Sequence, residues 1–266
     1  MAILTLTTDL GTKDHYAAAL KAAAFRQIPD VRIADVSHEV PAFNISEAAF
    51  LLRNVWRDFP EGTIHIIGTD TRWSEATPYA VVQKDGHYFI AADNGVFSLL
   101  FDSPEDSEVY HLRTTGAEDP GFPTKSVFIP AAAAIAAGRA LEDIGVAASG
   151  YKVRPSVHPV AEYDNIRGTV IYVDRYGNVI TNITRALFDE RIGHRSFSIV
   201  LRRGDRDLKR ISRTYDEVQE GEKVALFTSG GYLEIAINRG TQDSGGGASS
   251  LLGLRKNDVV RIEFED

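Results

Sequence analysis

The chain has 266 residues, no cysteine and a formal charge of −8. Its 44% hydrophobic and 25% charged content suits a soluble globular protein. The acidic balance argues against nucleic acid as a partner, and the missing cysteines exclude disulfides, thiolate catalysis and Cys-ligated metal. No uninterrupted apolar run reaches the roughly 18 residues of a membrane span. MAILTLTTD reads as a first strand, not as a signal peptide, so a cytoplasmic protein is expected. The seven histidines include no pair at metal-ligand spacing, and no metal site is expected.

In chain order, a strand over 2–8 precedes an Ala-rich helix over 16–27. A strand over 31–36 precedes a helix over 46–58, opened by a capping pair of Asn44 and Glu47. A strand over 63–69 follows, then strands 79–83 and 87–92 separated by Lys84-Asp85-Gly86. A third helix begins near Pro130, with proline in its first turn and Gly138 or Gly145 closing it. This alternation predicts an α/β N-terminal domain with a largely parallel sheet over 1–152. Pro155, His158 and Pro159 mark a linker over 153–164. Beyond it, β-branched strands at 168–174, 196–202, 223–227, 232–237 and 258–264 predict an all-β C-terminal barrel domain over 165–266. The basic run from Arg202 to Arg213 alternates with Asp205, Asp207 and Asp216 and reads as a solvated hairpin face. Segment 240–250 is a flexible loop by composition.

Three stretches set polar or glycine residues at strand ends: LTLTTDLGTKDHY (4–16), IYVDRYGNVITNI (171–183) and FTSGGYLEIAINRG (227–240). Asp9, followed by Gly11, fits either a helix N-cap or Asx-turn, or a carboxylate accepting two ribose hydroxyls. Asp174, Tyr176 and Asn178 share one face of a strand, where they suit an ammonium, a stacked purine and a base edge. An exposed hairpin end fits the same spacing. Ser229-Gly230-Gly231 fits an anion site or a plain glycine turn. No G-x-G-x-x-G follows the first strand, so this is not a Rossmann dinucleotide binder.

Together, and in this order, these stretches resemble the S-adenosylmethionine (SAM) hydrolase family, also called SAM hydroxide adenosyltransferases, relatives of the fluorinase and chlorinase. ADNG (92–95) and FPEGTIHI (59–66) extend the resemblance over nearly the whole chain. It implies cleavage of SAM by water at C5′ to adenosine and L-methionine, without metal or organic cofactor. By the same resemblance, Asp9 binds ribose and Asp14 lies near the methionine end. Asp174 takes the ammonium, Tyr176 stacks on adenine and Asn178 reads its edge. Ser229, Gly230 and Tyr232 lie in the segment that holds the methionine carboxylate, and main chain around Arg239 meets the adenine. His38 and Asp93-Asn94-Gly95 match family positions read as structural. The resemblance also implies a homotrimer with interfacial sites, in which Asp9 and Asp174 meet across chains.

Two catalytic positions depart from the family. In GTDTRWSEATPY (68–79) Asp70 matches the family aspartate, but Thr77 stands where an arginine belongs. In GFPTKSVF (121–128) Pro123 replaces the histidine, Thr124 a glycine and Lys125 an arginine. The expected catalytic set is therefore Asp70 with Arg72 and Lys125, with Ser126 as a further polar group. A SAM or adenosine binder without turnover is the alternative, and a SAM-dependent halogenase ranks third.

Overall fold

The computed structural model describes residues 1–101, 103–116, 118–201, 208–241 and 246–265. Arg202 to Asp207 of the basic run, and residues 242–245 of the glycine-rich loop, lie outside the described residues. The chain forms two compact units, Met1–Pro155 and Ser156–Asp266.

The first unit contains β1 (Ile3–Thr8), α1 (Tyr16–Gln27), β2 (Arg32–Ser37), α2 (Ile45–Arg53), β3 (Ile64–Gly68), β4 (Tyr79–Lys84) and β5 (His87–Ala92). Then come α3 (Val96–Leu100), β6 (Ser107–Leu112), a π-turn (Thr124–Phe128) running into α4 (Ile129–Ala136), α5 (Leu141–Ile144) and β7 (Gly145–Ala148). The sheet order is β2-β1-β3-β5-β4-β6-β7. β1 pairs in parallel with β2 and β3, and β3 with β5, whereas β4, β6 and β7 are added by antiparallel ladders.

The sheet is thus mixed, not largely parallel. The cause is local. Asp85 (φ 49°) and Gly86 (φ 76°) form a two-residue hairpin turn, which forces β5 back along β4. A parallel step would need a crossover of a dozen residues. α2 begins as expected, with Asn44 Oδ1 accepting the Glu47 N–H, but ends at Arg53; 56–58 is a separate 3₁₀ turn.

Side-chain alternation along β1 and β3 feeds two cores. Leu4, Leu6, Ile64 and Ile66 pack with Leu20 and Ala24 of α1 and with Phe128 on one face. Ile67, Phe89 and Val82 pack with Leu52, Trp56 and Phe97 on the other. Helices α1 and α2 therefore cover opposite faces, and the chain steps from β1 outward in both directions. That makes the carboxyl ends of β1 and β3 the topological switch point, where open α/β sheets bind ligands.

The second unit comprises β8 (Val160–Ala161), β9 (Asn165–Val173), β10 (Val179–Thr184), α6 (Arg185–Ile192), β11 (Ser196–Val200) and a 3₁₀ turn (Tyr215–Glu217). β12 (Lys223–Phe227), β13 (Tyr232–Ile237), α7 (Ala248–Leu251) and β14 (Val259–Glu265) complete it. The antiparallel order is β11-β14-β9-β10-β13-β12, with β8 on β9. The sheet curls around one core holding Ile199 of β11, Ile262 of β14, Val170 of β9, Ile235 of β13 and Phe227 of β12. Among the described residues the edge strands β11 and β12 do not pair, so this is an open half-barrel and not a closed barrel. Residues 208–212 span the gap: Leu208 pairs with Ile199, and the Ser212 N–H donates to Ala225 O. No helix among the described residues is long and apolar enough to cross a membrane.

Candidate active site

Two clusters of the expected residues form, one in each unit. In the first unit, Thr8 of β1 pairs with Gly68 of β3, so Asp9 and Asp70 leave the sheet from adjacent strand ends. The Asp9 turn is fixed by bonds to the 38–43 segment. Its Oδ2 accepts the Phe43 N–H at 2.9 Å, and Gly11, at φ 68°, donates its N–H to His38 O. The buried His38 ring meets Thr8 Oγ1 at 2.7 Å through Nδ1, and its Nε2 stands 3.1 Å from Asp35. His38 thereby ties the end of β1 to β2.

Asp70 sits at φ 47°, a left-handed conformation in which Asp is tolerated better than most residues. Asn94 Nδ2 holds that bend by donating to the carbonyls of Thr69 and Asp70. Asp93 accepts the Lys152 N–H with both oxygens, and its burial pushes the carboxyl up from the usual range. The DNG stretch is therefore a brace for the Asp70 bend. Arg72, well exposed, places Nε 3.2 Å from Asp70 Oδ1. Thr77, at the family's arginine position, closes a small turn with Ser74 and carries no charge.

The 121–128 segment enters this region through Thr124. A Cβ on Gly68 would lie 2.9 Å from Thr124 Cγ2 and 3.1 Å from Thr8 Cγ2, so glycine lets the buried Thr124 lie against the strand ends. Pro123 is the buried residue preceding the π-turn. Lys125, one residue beyond Thr124, lines a separate cavity of about 230 Å³ with Ala23, Arg26 and Gln27 of α1. It is not brought to Asp70. Asp14 is exposed in the bend before α1.

The second cluster is a cleft of about 590 Å³ lined by Asp174, Tyr176, Asn178, Tyr215 and the run Ile237 to Thr241. The chain between β9 and β10 makes it. Asp174 Oδ1 accepts the N–H groups of Tyr176 and Asn178, and Oδ2 accepts Asn178 Nδ2. With Gly177 at φ 81°, these bonds lock a turn that presents Tyr176 to solvent and buries Asn178. Arg239, at φ 57°, forms the opposite lip and pairs with Glu220 at 3.6 Å on the surface.

Ser229 and Gly230 occupy the hairpin turn between β12 and β13, where Gly231 has φ 78°. Tyr232 opens β13. The length of β13 separates these three from Arg239, so they lie outside the cleft.

Three residues of these clusters carried no recognisable sequence signal. Phe43 combines a left-handed backbone (φ 64°) with 67% exposure beside Asp9. A bulky residue in that conformation is an outlier that points to function. Tyr215 supplies a second phenol ring to the cleft, and its hydroxyl donates to Glu234 at 2.7 Å. Glu234 is a buried carboxylate that sequence alternation alone disguises as a routine strand residue.

Chemically, the first cluster offers carboxylates to hydroxyls or a water, and the second offers two aromatic rings with amide groups to a flat heterocycle. Among the described residues no group of three or more acidic or histidine side chains is arranged to hold a metal.

Comparison with known proteins covers both units. A family model described as SAM hydroxide adenosyltransferase N-terminal domain matches residues 4–145, and its C-terminal counterpart matches 168–261. The chain is 29% identical to an (R)-S-adenosyl-L-methionine hydrolase of Thermus thermophilus, over 96% of this chain and 97% of that one. It is 26% identical to a fluorinase of an Actinoplanes species, over 89% and 91%. The crystal structure of an uncharacterized conserved protein from Thermotoga maritima superposes with a TM-score of 0.84 at 29% identity, covering 98% and 99%.

Proposed function

The chain belongs to the SAM hydroxide adenosyltransferase family, and on that premise we propose that it hydrolyses SAM at the ribose C5′ carbon to adenosine and L-methionine. The observation that carries the reading is the pair of carboxylates, Asp9 and Asp70, at neighbouring strand ends of the switch point. The relatives named as SAM hydrolases support the choice of water as nucleophile.

In this reading, water oxygen bonds to C5′ as the C5′–S bond breaks, and the electron pair leaves with sulfur. The product thioether is neutral, so expulsion asks little of the protein beyond alignment and a dry site. The water proton passes to the Asp70 carboxylate and then to solvent. Arg72 holds that carboxylate in one orientation. Lys125 stays outside the reacting set, because it faces α1. Asp9 receives the ribose hydroxyls beside the Phe43 ring, with Asp14 nearby. Tyr176 and Tyr215 flank adenine, Asn178 and the main chain at Arg239 meet its edge, and Asp174 supplies negative charge for the ammonium. Ser229, Gly230 and Tyr232 serve the methionine carboxylate.

The reading includes a cytoplasmic homotrimer in which Asp9 of one protomer and Asp174 of its neighbour share a ligand. The reaction balances with SAM and water alone.

A second reading, a SAM or adenosine binder without turnover, is favoured by one observation: Pro123 and Thr77 supply neither proton acceptor nor charge where the family has both. Incubation with SAM, with and without chloride, separates the cases. Adenosine and methionine in equal amounts, independent of chloride, support hydrolysis; a 5′-chloronucleoside indicates halogenation; bound, unconverted SAM indicates a binder.

A further inference from the structure

We infer that Glu234 is a positioning residue of the cleft: through the Tyr215 hydroxyl it holds that ring in place as one wall of the nucleoside site. The inference rests on the nucleoside reading of the cleft given above, and adds a residue acting behind it.

Along β13, Leu233, Ile235 and Ile237 point into the half-barrel core. Glu234 and Ala236 take the opposite face, where Ala236 packs with Val224 and Leu226. Glu234 pairs with Ile180 of β10 and Leu226 of β12, so its carboxylate is flanked by apolar strand neighbours and is only 4% exposed. A carboxylate placed there is costly to bury unless a donor meets it. The Tyr215 hydroxyl donates to it at 2.7 Å and so supplies that donor.

An apolar side chain at 234 would pack against Val224 and Leu226 without that cost, so stability alone does not account for a carboxylate. Its effect falls on Tyr215. The backbone of Tyr215 belongs to a short surface 3₁₀ turn, which Glu217 secures by accepting the Arg213 N–H. That bond fixes the turn, not the ring. Tyr215 as a whole is 41% exposed, and its ring is tethered at its far end by Glu234, which leaves its face toward the cleft shared with Tyr176 and Asn178. Pre-ordering an aromatic wall removes the cost of immobilising that side chain when a ligand arrives.

The test is a double-mutant cycle on the full-length protein, read by calorimetric titration with adenosine and by SAM turnover. Tyr215→Phe should weaken adenosine binding about threefold to tenfold, the cost of ordering one side chain. Glu234→Gln, which keeps an acceptor oxygen, should stay within about twofold, and Glu234→Ala should match Tyr215→Phe. The double variant should lose no more than either single, and KM for SAM should rise with kcat retained. Additive losses, or a folded Glu234→Ala protein with wild-type affinity, would overturn the inference. If Glu234→Ala does not fold, Tyr215→Phe decides: wild-type affinity there overturns it. Wild-type protein that binds no adenosine would instead overturn the nucleoside reading, and this inference with it.

Discussion

Replacing Gly247 by alanine tests how tightly the cleft is built. Gly247 has φ −81° and ψ −177°, a backbone any residue adopts, so an alanine there meets no conformational penalty. Its Cβ, however, would stand 2.2 Å from Tyr176 O and 2.8 Å from Gly177 Cα. Restoring an ordinary carbon–oxygen contact of about 3.3 Å requires a backbone shift of about 1 Å. The Ser249 N–H to Gly177 O bond at 2.8 Å ties the same two segments and resists that shift. Overpacking of this kind costs about 1–3 kcal/mol. The smaller unfolded-state entropy of alanine offsets about 0.4–1 kcal/mol. A net loss of about 1–2 kcal/mol is therefore expected in urea unfolding. Because Tyr176 and Asn178 ride on the displaced turn, adenosine affinity should fall about tenfold, equivalent to about 1.4 kcal/mol. Calorimetric titration and urea melts on the same sample measure both. Wild-type affinity together with wild-type stability would refute the close packing on which this reasoning depends.

Three further outcomes are expected. Asp9→Ala removes the ribose carboxylate and the acceptor for the Phe43 N–H, and should weaken adenosine binding about tenfold or more, measured by titration. Lys125→Met should leave SAM turnover within about twofold of wild type, since Lys125 lines the cavity along α1; a larger fall in kcat would return it to the reacting set. Burial, reinforced by the charge of His87, pushes the His65 imidazole down from 6.5 to about 3. The unfolded chain then binds the proton more readily, so stability is full above pH 6.5 and declines as pH falls toward 3. At pH 5 the loss is about 2 kcal/mol, and urea unfolding at pH 7 and pH 5 should show it, with His65→Gln flattening the difference.

Local signals in the sequence proved informative where a turn or cap is built from neighbours. Asn44 capping α2, the Asp85-Gly86 hairpin and the Asp174–Asn178 turn are each made by residues within a few positions of one another. Asp9 was legible from its place at the end of β1, although the Phe43 N–H that its carboxylate accepts comes from 34 positions away. Long-range pairing was not. Periodicity identifies a strand's face but not its partner, so the antiparallel addition of β4, β6 and β7 and the open edge of the half-barrel emerged only from register. The same limit explains the site residues. Lys125 is one residue from Thr124, yet a helical step of about 100° sends it toward α1. Ser229 and Arg239 flank one strand, and a strand's length keeps them apart. Glu234 and Tyr215 acquire meaning only as a pair, nineteen positions apart in sequence.

The most direct measurement of the central claim is SAM turnover in H₂¹⁸O by the wild-type protein and by Asp70→Asn. The expected result is adenosine carrying one ¹⁸O at its 5′ hydroxyl, methionine in equal amount, and a fall in kcat of about a hundredfold in the variant with KM largely kept. Adenosine without the label, or Asp70→Asn turning over at the wild-type rate, would contradict it.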